Sequence, residues 1–315
     1  MKKILFLSWL VALLPSPTFA DFALIPEYKK LELRAGADLF QSSRNFANDG
    51  ILDPIKFRGS NVELADLIFW LEPTYGIAQD WAVKAYLPYV RSSLKSASTG
   101  GTVGSGAGIG DLRASILWTV KPFEPVITFE AMIKTPTGTS VPGATDEIVT
   151  GEGNVDAGFY FHTATKAGSV MFFLSPGLLA RFGGYSMAGV GDAAIQLDFP
   201  RGFIRASVGG IFSFSETKLF SSAITVQDAP GSGGSYARLN GSPIGMYAGG
   251  KLGFRLFGEF HLEAGAQFAV LGTRYPNFFR ASVAIVNVFD FFKPLRPRRV
   301  RDVPMNEDYE EEDED

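Results

Sequence analysis

The 315-residue chain contains no cysteine. That excludes a disulfide framework, a thiolate metal site, a cysteine nucleophile and a lipid-anchored N-terminal cysteine. Imidazole chemistry has only His162 and His261 to draw on. Neither has a second ligand at metal-binding spacing, nor a serine two residues on of the kind an outer-membrane phospholipase carries, so neither a metal site nor a catalytic site is expected, and no cofactor. Beyond the N-terminus no apolar run reaches the ~18 residues of a membrane helix, which excludes a helical membrane protein. Positive charge is not in excess either. The formal net charge is −4, owed largely to an acidic C-terminus, and the mixed signs elsewhere speak against nucleic acid as a partner.

What is abundant is glycine, at 35 residues, and phenylalanine, at 28, within a chain that is 46% hydrophobic. This composition suits many strands joined by turns. At the N-terminus Lys2 and Lys3 precede an apolar run from Ile4 to Leu14, then Pro15, Pro17 and Thr18-Phe19-Ala20. The pattern reads as a secretory signal peptide over residues 1–20, cleaved after Ala20, because the run is too short for the ~20 residues a retained anchor needs. The mature chain then begins at Asp21, outside the cytoplasm.

From Gly108 onward the pattern has period two. Leu112, Ala114, Ile116, Trp118 and Val120 alternate with Arg113, Ser115 and Thr119, Leu117 being the exception, and after a short break at 121–124 Ile127, Phe129, Ala131 and Ile133 alternate with Thr128, Glu130 and Lys134. Each arm is a strand with one oily and one wet side. Similar alternation recurs at 30–40, 65–77, 81–89, 155–162, 170–182, 192–199, 204–214, 244–256, 259–270 and 279–291, which brings the expected count to twelve. Pro176 inside 170–182 would ordinarily demote that run to an edge or a bulge, but its alternation keeps it in the count as a strand. Every second connection is tight (78–80, 121–124, 166–169, 200–202, 257–258), whereas most others are long and polar, as at Gln41–Asn61, Ser92–Gly108, Gly138–Asn154 and Ser215–Ser242. A soluble sandwich has no reason to gather its long loops at one end; an outer-membrane barrel, with strands of about 9–11 residues per crossing, does. The expected fold is therefore all-β, a transmembrane antiparallel up-and-down β-barrel of about 12 strands over residues 21–292, both termini periplasmic.

The charges agree with this reading. Within strands they take the parity opposite the oily face, where they would point into a wet lumen rather than lipid. The lumen candidates for contact with a solute are Arg34, Lys84, Arg113, Glu130, Lys134, Asp156, His162, Lys251, Arg255, Glu259, His261 and Glu263. Glu259 and Glu263 are expected to pair with Lys251 and Arg255 on the neighbouring strand. Aromatics such as Trp81, Tyr89, Trp118, Phe182, Phe199, Phe257, Phe289 and Phe291 fall near strand ends, where girdles sit.

Three strand openings repeat a glycine motif: Gly108-Ile109-Gly110-Asp111, Gly151-Glu152-Gly153-Asn154 and Gly189-Val190-Gly191-Asp192. A phosphate cradle would need a following helix or a Gly-Lys-Thr, and neither is present. Together with Leu87-Pro88-Tyr89-Val90, Lys134-Thr135-Pro136-Thr137-Gly138 and the Gly151–Phe161 segment, the GIGDL stretch resembles the transporter-like outer-membrane family named for the meta-pathway of phenol degradation. The resemblance covers about Leu64 to Phe214. It implies a pore-like barrel for uptake of hydrophobic or aromatic compounds and supplies no catalytic residue. The tail departs from the pattern in which the chain ends at its last strand.

The sequence thus points to an outer-membrane channel or facilitator for small solutes, hydrophobic or aromatic ones included, in a Gram-negative envelope, and not to an enzyme. A structural or adhesive surface barrel is the alternative, and a barrel enzyme a further one. Expected partners are outer-membrane lipid, a small-molecule solute and, during biogenesis, the barrel-assembly machinery, to which Phe289 and Phe291 resemble a terminal signal. Residues 293–315, basic and proline-rich and then almost wholly acidic, cannot bury enough apolar surface to fold. They read as a disordered periplasmic tail, either solvated without a partner or docking an envelope component.

Overall fold

The structure is a computed structural model that describes residues 25–46, 52–57, 60–121, 124–138, 150–151, 154–182, 187–214, 244–257, 260–273 and 275–290. The signal peptide, Glu259, Phe291 and the tail lie outside these residues. The strands are β1 (Lys30–Phe46), β2 (Leu52–Pro54), β3 (Lys56–Phe57), β4 (Ser60–Ala78), β5 (Trp81–Ser96), β6 (Thr102–Ile109), β7 (Leu112–Lys121), β8 (Val126–Thr135), β9 (Asp156–Ala167), β10 (Val170–Arg181), β11 (Ala188–Phe199), β12 (Gly202–Ser213), β13 (Ile244–Phe257), β14 (Phe260–Thr273) and β15 (Tyr275–Asp290). Twelve of them form one antiparallel barrel, each paired with its neighbour in the chain. Pairing of β1 with β15, from Lys30↔Asp290 to Phe46↔Tyr275, closes it. The short strands β2, β3 and β6 pair only with β1, β4 and β5 respectively.

The burial is inside out. Asp38, Asp66, Glu130 and Lys134 are each at most 4% exposed, while Phe159, Ile195 and Phe212 on the opposite face are each 53% exposed. Water-soluble folds bury the second group and expose the first. A barrel in lipid must do the reverse, since a basic residue on its outer face at mid-bilayer costs about 2–4 kcal/mol. The two-residue alternation of the sequence is therefore the alternation between lipid and lumen.

Tight turns gather at one end, where Ala78 pairs with Trp81, Ala167 with Val170, Phe199 with Gly202 and Phe257 with Phe260. In the second of these Gly168 takes φ 64°, a conformation that suits a residue without Cβ. Lys30 and Asp290, the two ends of the closed sheet, lie at this same end. The segment before β1 turns at Lys29 (φ 65°), whose N–H donates to Gly76 O at 2.8 Å, and leaves Pro26 buried.

One expectation needs correction. The stretches 41–61 and 92–108 are expected to be loop, but their described residues are largely strand, so that β1, β4 and β5 run to 17, 19 and 16 residues. Their outward residues at the far end (Gln41, Glu63, Arg91, Lys95) are polar and exposed, so the sheet continues past the oily band into water. Alternation of oily with wet residues marks only the part of a strand that faces lipid. The strand expected around Pro176 is formed: within β10 the proline pairs with Gly191 on β11, while the ladder to β9 passes from Leu174↔Thr163 to Gly177↔Tyr160 around its missing N–H.

Candidate functional site

The lumen holds two layers. Toward the tight-turn end lies a belt of charges. Lys84 Nζ on β5 meets the Glu130 carboxylate on β8 at 2.9 Å, and Arg34 Nη2 on β1 meets Glu263 on β14 at 2.7 Å. Each pair skips one intervening strand, so its side chains reach past their ladder neighbours on the lumen side of the wall. Lys251 Nζ shares Glu263 at 2.7 Å, and Arg34 Nη1 lies 3.9 Å from Glu72. Arg205 Nε donates to Gln196 at 2.8 Å, and its guanidinium lies 4.7 Å from the centre of the Phe173 ring. Long side chains that are fixed at both ends brace the wall and narrow the bore.

Tyr247 on β13 reaches over β12 to donate to Asp192 on β11. Gly209, on the strand between, makes this contact feasible, since a Cβ there would collide with both the Tyr247 hydroxyl and the Asp192 carboxylate. Arg280 pairs with Asp38 across the closure of the barrel.

Toward the long-loop end the inward residues turn apolar. Phe40, Val62, Leu64, Leu94, Ile211, Tyr247, Tyr275 and Phe278 form one buried cluster, in which Phe40 stacks on Phe278 at 5.3 Å and Tyr275 meets Phe278 edge-on at 6.0 Å. All of these residues except Tyr275 sit at the parity that lower down carries charge. Below the apolar layer a cavity of about 20 Å³ is lined by Glu72, Lys84, Tyr86, Arg113, Ser115, Glu130, Met132 and Tyr160. It has room for about one water molecule. The Tyr160 hydroxyl, buried and without a hydrogen-bond partner among the described residues, is suited to bind one there.

The expected lumen residues divide unevenly between these features. Arg34, Lys84, Glu130, Lys251 and Glu263 belong to the belt, and the expected Glu263–Lys251 pair is formed. Arg255 shares the lumen parity but is exposed near the tight-turn rim and makes no ion pair among the described residues, while His261 is half-buried. Arg113 lies 5.1 Å over the Tyr86 ring. Lys134 and Asp156 join a third group: Lys134 Nζ is 2.7 Å from Asp156, 3.2 Å from Asn154 Oδ1 and 3.8 Å from Asp111. The lysine ammonium occupies the place a cation would take there. Among the described residues no three His, Asp or Glu side chains are grouped to hold a metal ion.

His162 has a serine partner that the sequence did not reveal. Its Nδ1 lies 3.0 Å from Ser175 Oγ on β10 and its Nε2 lies 3.1 Å from Glu130. The order Ser–His–Glu is that of an acyl-transfer relay. Ser175, however, is 1% exposed and does not border the cavity, and Glu130 is also held by Lys84, so the arrangement acts as a brace across β8, β9 and β10.

The segments that carried the family resemblance meet at one place in the wall. Gly110 N–H donates to Pro88 O at 3.0 Å, the Thr137 hydroxyl donates to Gly110 O at 2.8 Å and accepts from Leu112 N–H at 2.9 Å, and Gly138 N–H donates to Asp111 at 3.2 Å. The Thr150 hydroxyl donates to Ile109 O at 3.0 Å. Gly138 and Gly151 approach so closely that a Cβ on Gly138 would lie 2.6 Å from Gly151 Cα. The motifs thus form a clasp that ties the far ends of β7, β8 and β9 to the middle of β5, and the glycines at 110, 138 and 151 serve backbone contact rather than a phosphate.

No protein-family model matches the chain, and no curated protein sequence does. Among solved structures it is similar to the COG4313 outer membrane channel from Pseudomonas putida F1, at 13% identity and a TM-score of 0.66, covering 87% of this chain and 100% of that one. Weaker likenesses, each with a TM-score of 0.44, are to the translocator domain of the autotransporter NalP from Neisseria meningitidis (12% identity, 82% of this chain and 88% of that one) and to the CymD monoaromatic hydrocarbon channel (10% identity, 83% and 89%). At such identities the likeness is one of fold.

Proposed function

We propose that the protein is an outer-membrane channel for small apolar or aromatic solutes, and that solute crosses by way of the two-layered lumen. The observation that carries this reading is the lumen's own division. An apolar cluster at the long-loop end offers an uncharged solute a surface it can wet, and the belt beneath it, in which cations and carboxylates interleave, carries no large field of one sign to select ions. The shared fold with an outer membrane channel supports it, as do the segments that resemble the phenol meta-pathway family. In this reading the tight turns and both termini face the periplasm, residues 1–20 are removed on export, and residues 293–315 extend into the periplasm. Lipid and solute are the standing partners, with the assembly machinery a transient one.

The test is entry of a small aromatic compound and of a sugar of similar size into vesicles with and without the purified barrel. The aromatic is expected to enter faster through the protein than through protein-free bilayer, and the sugar slowly. Equal rates with and without protein for both solutes would move the weight to a structural or adhesive role.

A further inference from the structure

On the lipid-facing wall near the tight-turn end, four neighbouring strands place small residues side by side. Ala85 on β5 pairs with Ala114 on β7, Ile116 pairs with Ala131 on β8, and Pro73 on β4 lies alongside. Around them Tyr75, Val83, Ile116 and Ile133 stand higher, and the result is an open recess of about 720 Å³ with almost wholly apolar walls. Elsewhere the same face carries large side chains such as Phe159, Phe172 and Leu178. Next along the same face toward the tight turns, beyond the Val83–Ile116 pair, comes a shelf of stacked rings, Trp81 on Trp118 at 5.5 Å and Trp118 against Phe129 at 6.1 Å. Trp81 opens β5 directly after a tight turn, where the bilayer meets water and indole rings are favoured.

A recess in a wall that faces hydrocarbon cannot stay empty without losing dispersion contacts on every side. Rigid side chains of a neighbouring protein would need matching shape to fill it, whereas an acyl chain adapts to it and is already the solvent of the oily band on both sides. We propose that this recess binds one acyl chain of a phospholipid from the leaflet at the tight-turn end, with its glycerol and head group resting by Trp81 and Trp118, and that this lipid exchanges more slowly than those around the rest of the barrel. The inference does not depend on what passes through the lumen.

The test uses the chain from Asp21 onward in a Trp70→Phe background, which lacks Trp9 and the lumen-facing indole and leaves Trp81 and Trp118 as reporters. In vesicles with a small fraction of chain-brominated phospholipid, Trp fluorescence should be quenched beyond the bulk fraction of brominated lipid. Native mass spectrometry after detergent exchange should show one retained phospholipid per barrel. Ala114→Phe, which fills the recess, should lower the retained lipid about tenfold and return quenching to the bulk value. Ala131→Leu is the milder filling variant and should give a smaller loss in the same direction. Quenching at the bulk fraction in the parent protein, with no lipid retained, overturns the proposal. So does a mass of two chains that Ala114→Phe returns to one, which would assign the recess to a second copy of this protein.

Discussion

Replacing Glu130 by Gln removes the carboxylate that Lys84 Nζ approaches at 2.9 and 3.0 Å and that His162 Nε2 approaches at 3.1 Å. The Lys84 ammonium is left in the lumen without its counter-charge. Breaking one side of a buried pair costs about 3–5 kcal/mol, and the lower end applies because the Gln oxygen still accepts one hydrogen bond. The barrel should therefore unfold at a lower temperature, read from the shift between folded and heated forms on a gel. The lumen also gains one positive charge, worth about 0.8 kcal/mol to an anion roughly 5 Å away in a water-like dielectric, hence roughly a fourfold shift toward anions. Reversal potentials across planar bilayers under a salt gradient measure that shift. Lys84→Met combined with Glu130→Gln removes both charges and should return selectivity to the parent value. If Glu130→Gln alone leaves the gel transition and the reversal potential unchanged, the pair does not brace the lumen and the belt has been misread.

Gly151→Ala places a methyl against Gly138, where 2.8 Å separates the new Cβ from Gly138 Cα, and should cost about 1–3 kcal/mol, seen as a lower gel transition. Phe278→Ala empties the centre of the apolar cluster, so sugar entry into vesicles should rise while the aromatic loses its advantage; an unchanged ratio of the two rates would show that this layer does not select. Because the chain has no native cysteine, single cysteines report topology cleanly. One at Ser98, beyond the far end of β5, should react with an impermeant thiol reagent on intact cells, and one at Ser169 should not.

Much of this architecture can be read from the residues, and the parts that cannot have definite causes. Period two located the twelve barrel strands and their lipid faces because lipid enforces strict alternation wherever a strand crosses it. Where β1 and β5 leave the lipid that constraint ends, and Gln41–Phe46 and most of Ser92–Gly108 read as loop although they pair. The apolar layer was hidden for a related reason: Phe40, Leu64 and Leu94 occupy lumen parity, and residues on that side were expected to be wet. Ser175 could have been assigned to His162 by counting back in step from the two-residue turn that pairs Ala167 with Val170. The pairs Arg34–Glu263 and Lys84–Glu130 could not, because they join strands that share no ladder. The glycine motifs were recognisable as a resemblance, but their purpose depends on Gly138 and Gly151 touching, and that is a property of the closed barrel.

The claim that solute travels through the lumen is tested most directly by obstructing it reversibly. In the cysteine-free chain, Phe278→Cys places a lone thiol in the apolar layer, where the truncated side chain leaves room for a bulky disulfide-forming reagent, and mass spectrometry confirms the adduct. Aromatic entry into vesicles should fall to the protein-free rate when the adduct is present and recover when a reductant removes it. Entry that continues at full rate through fully modified protein would contradict the account.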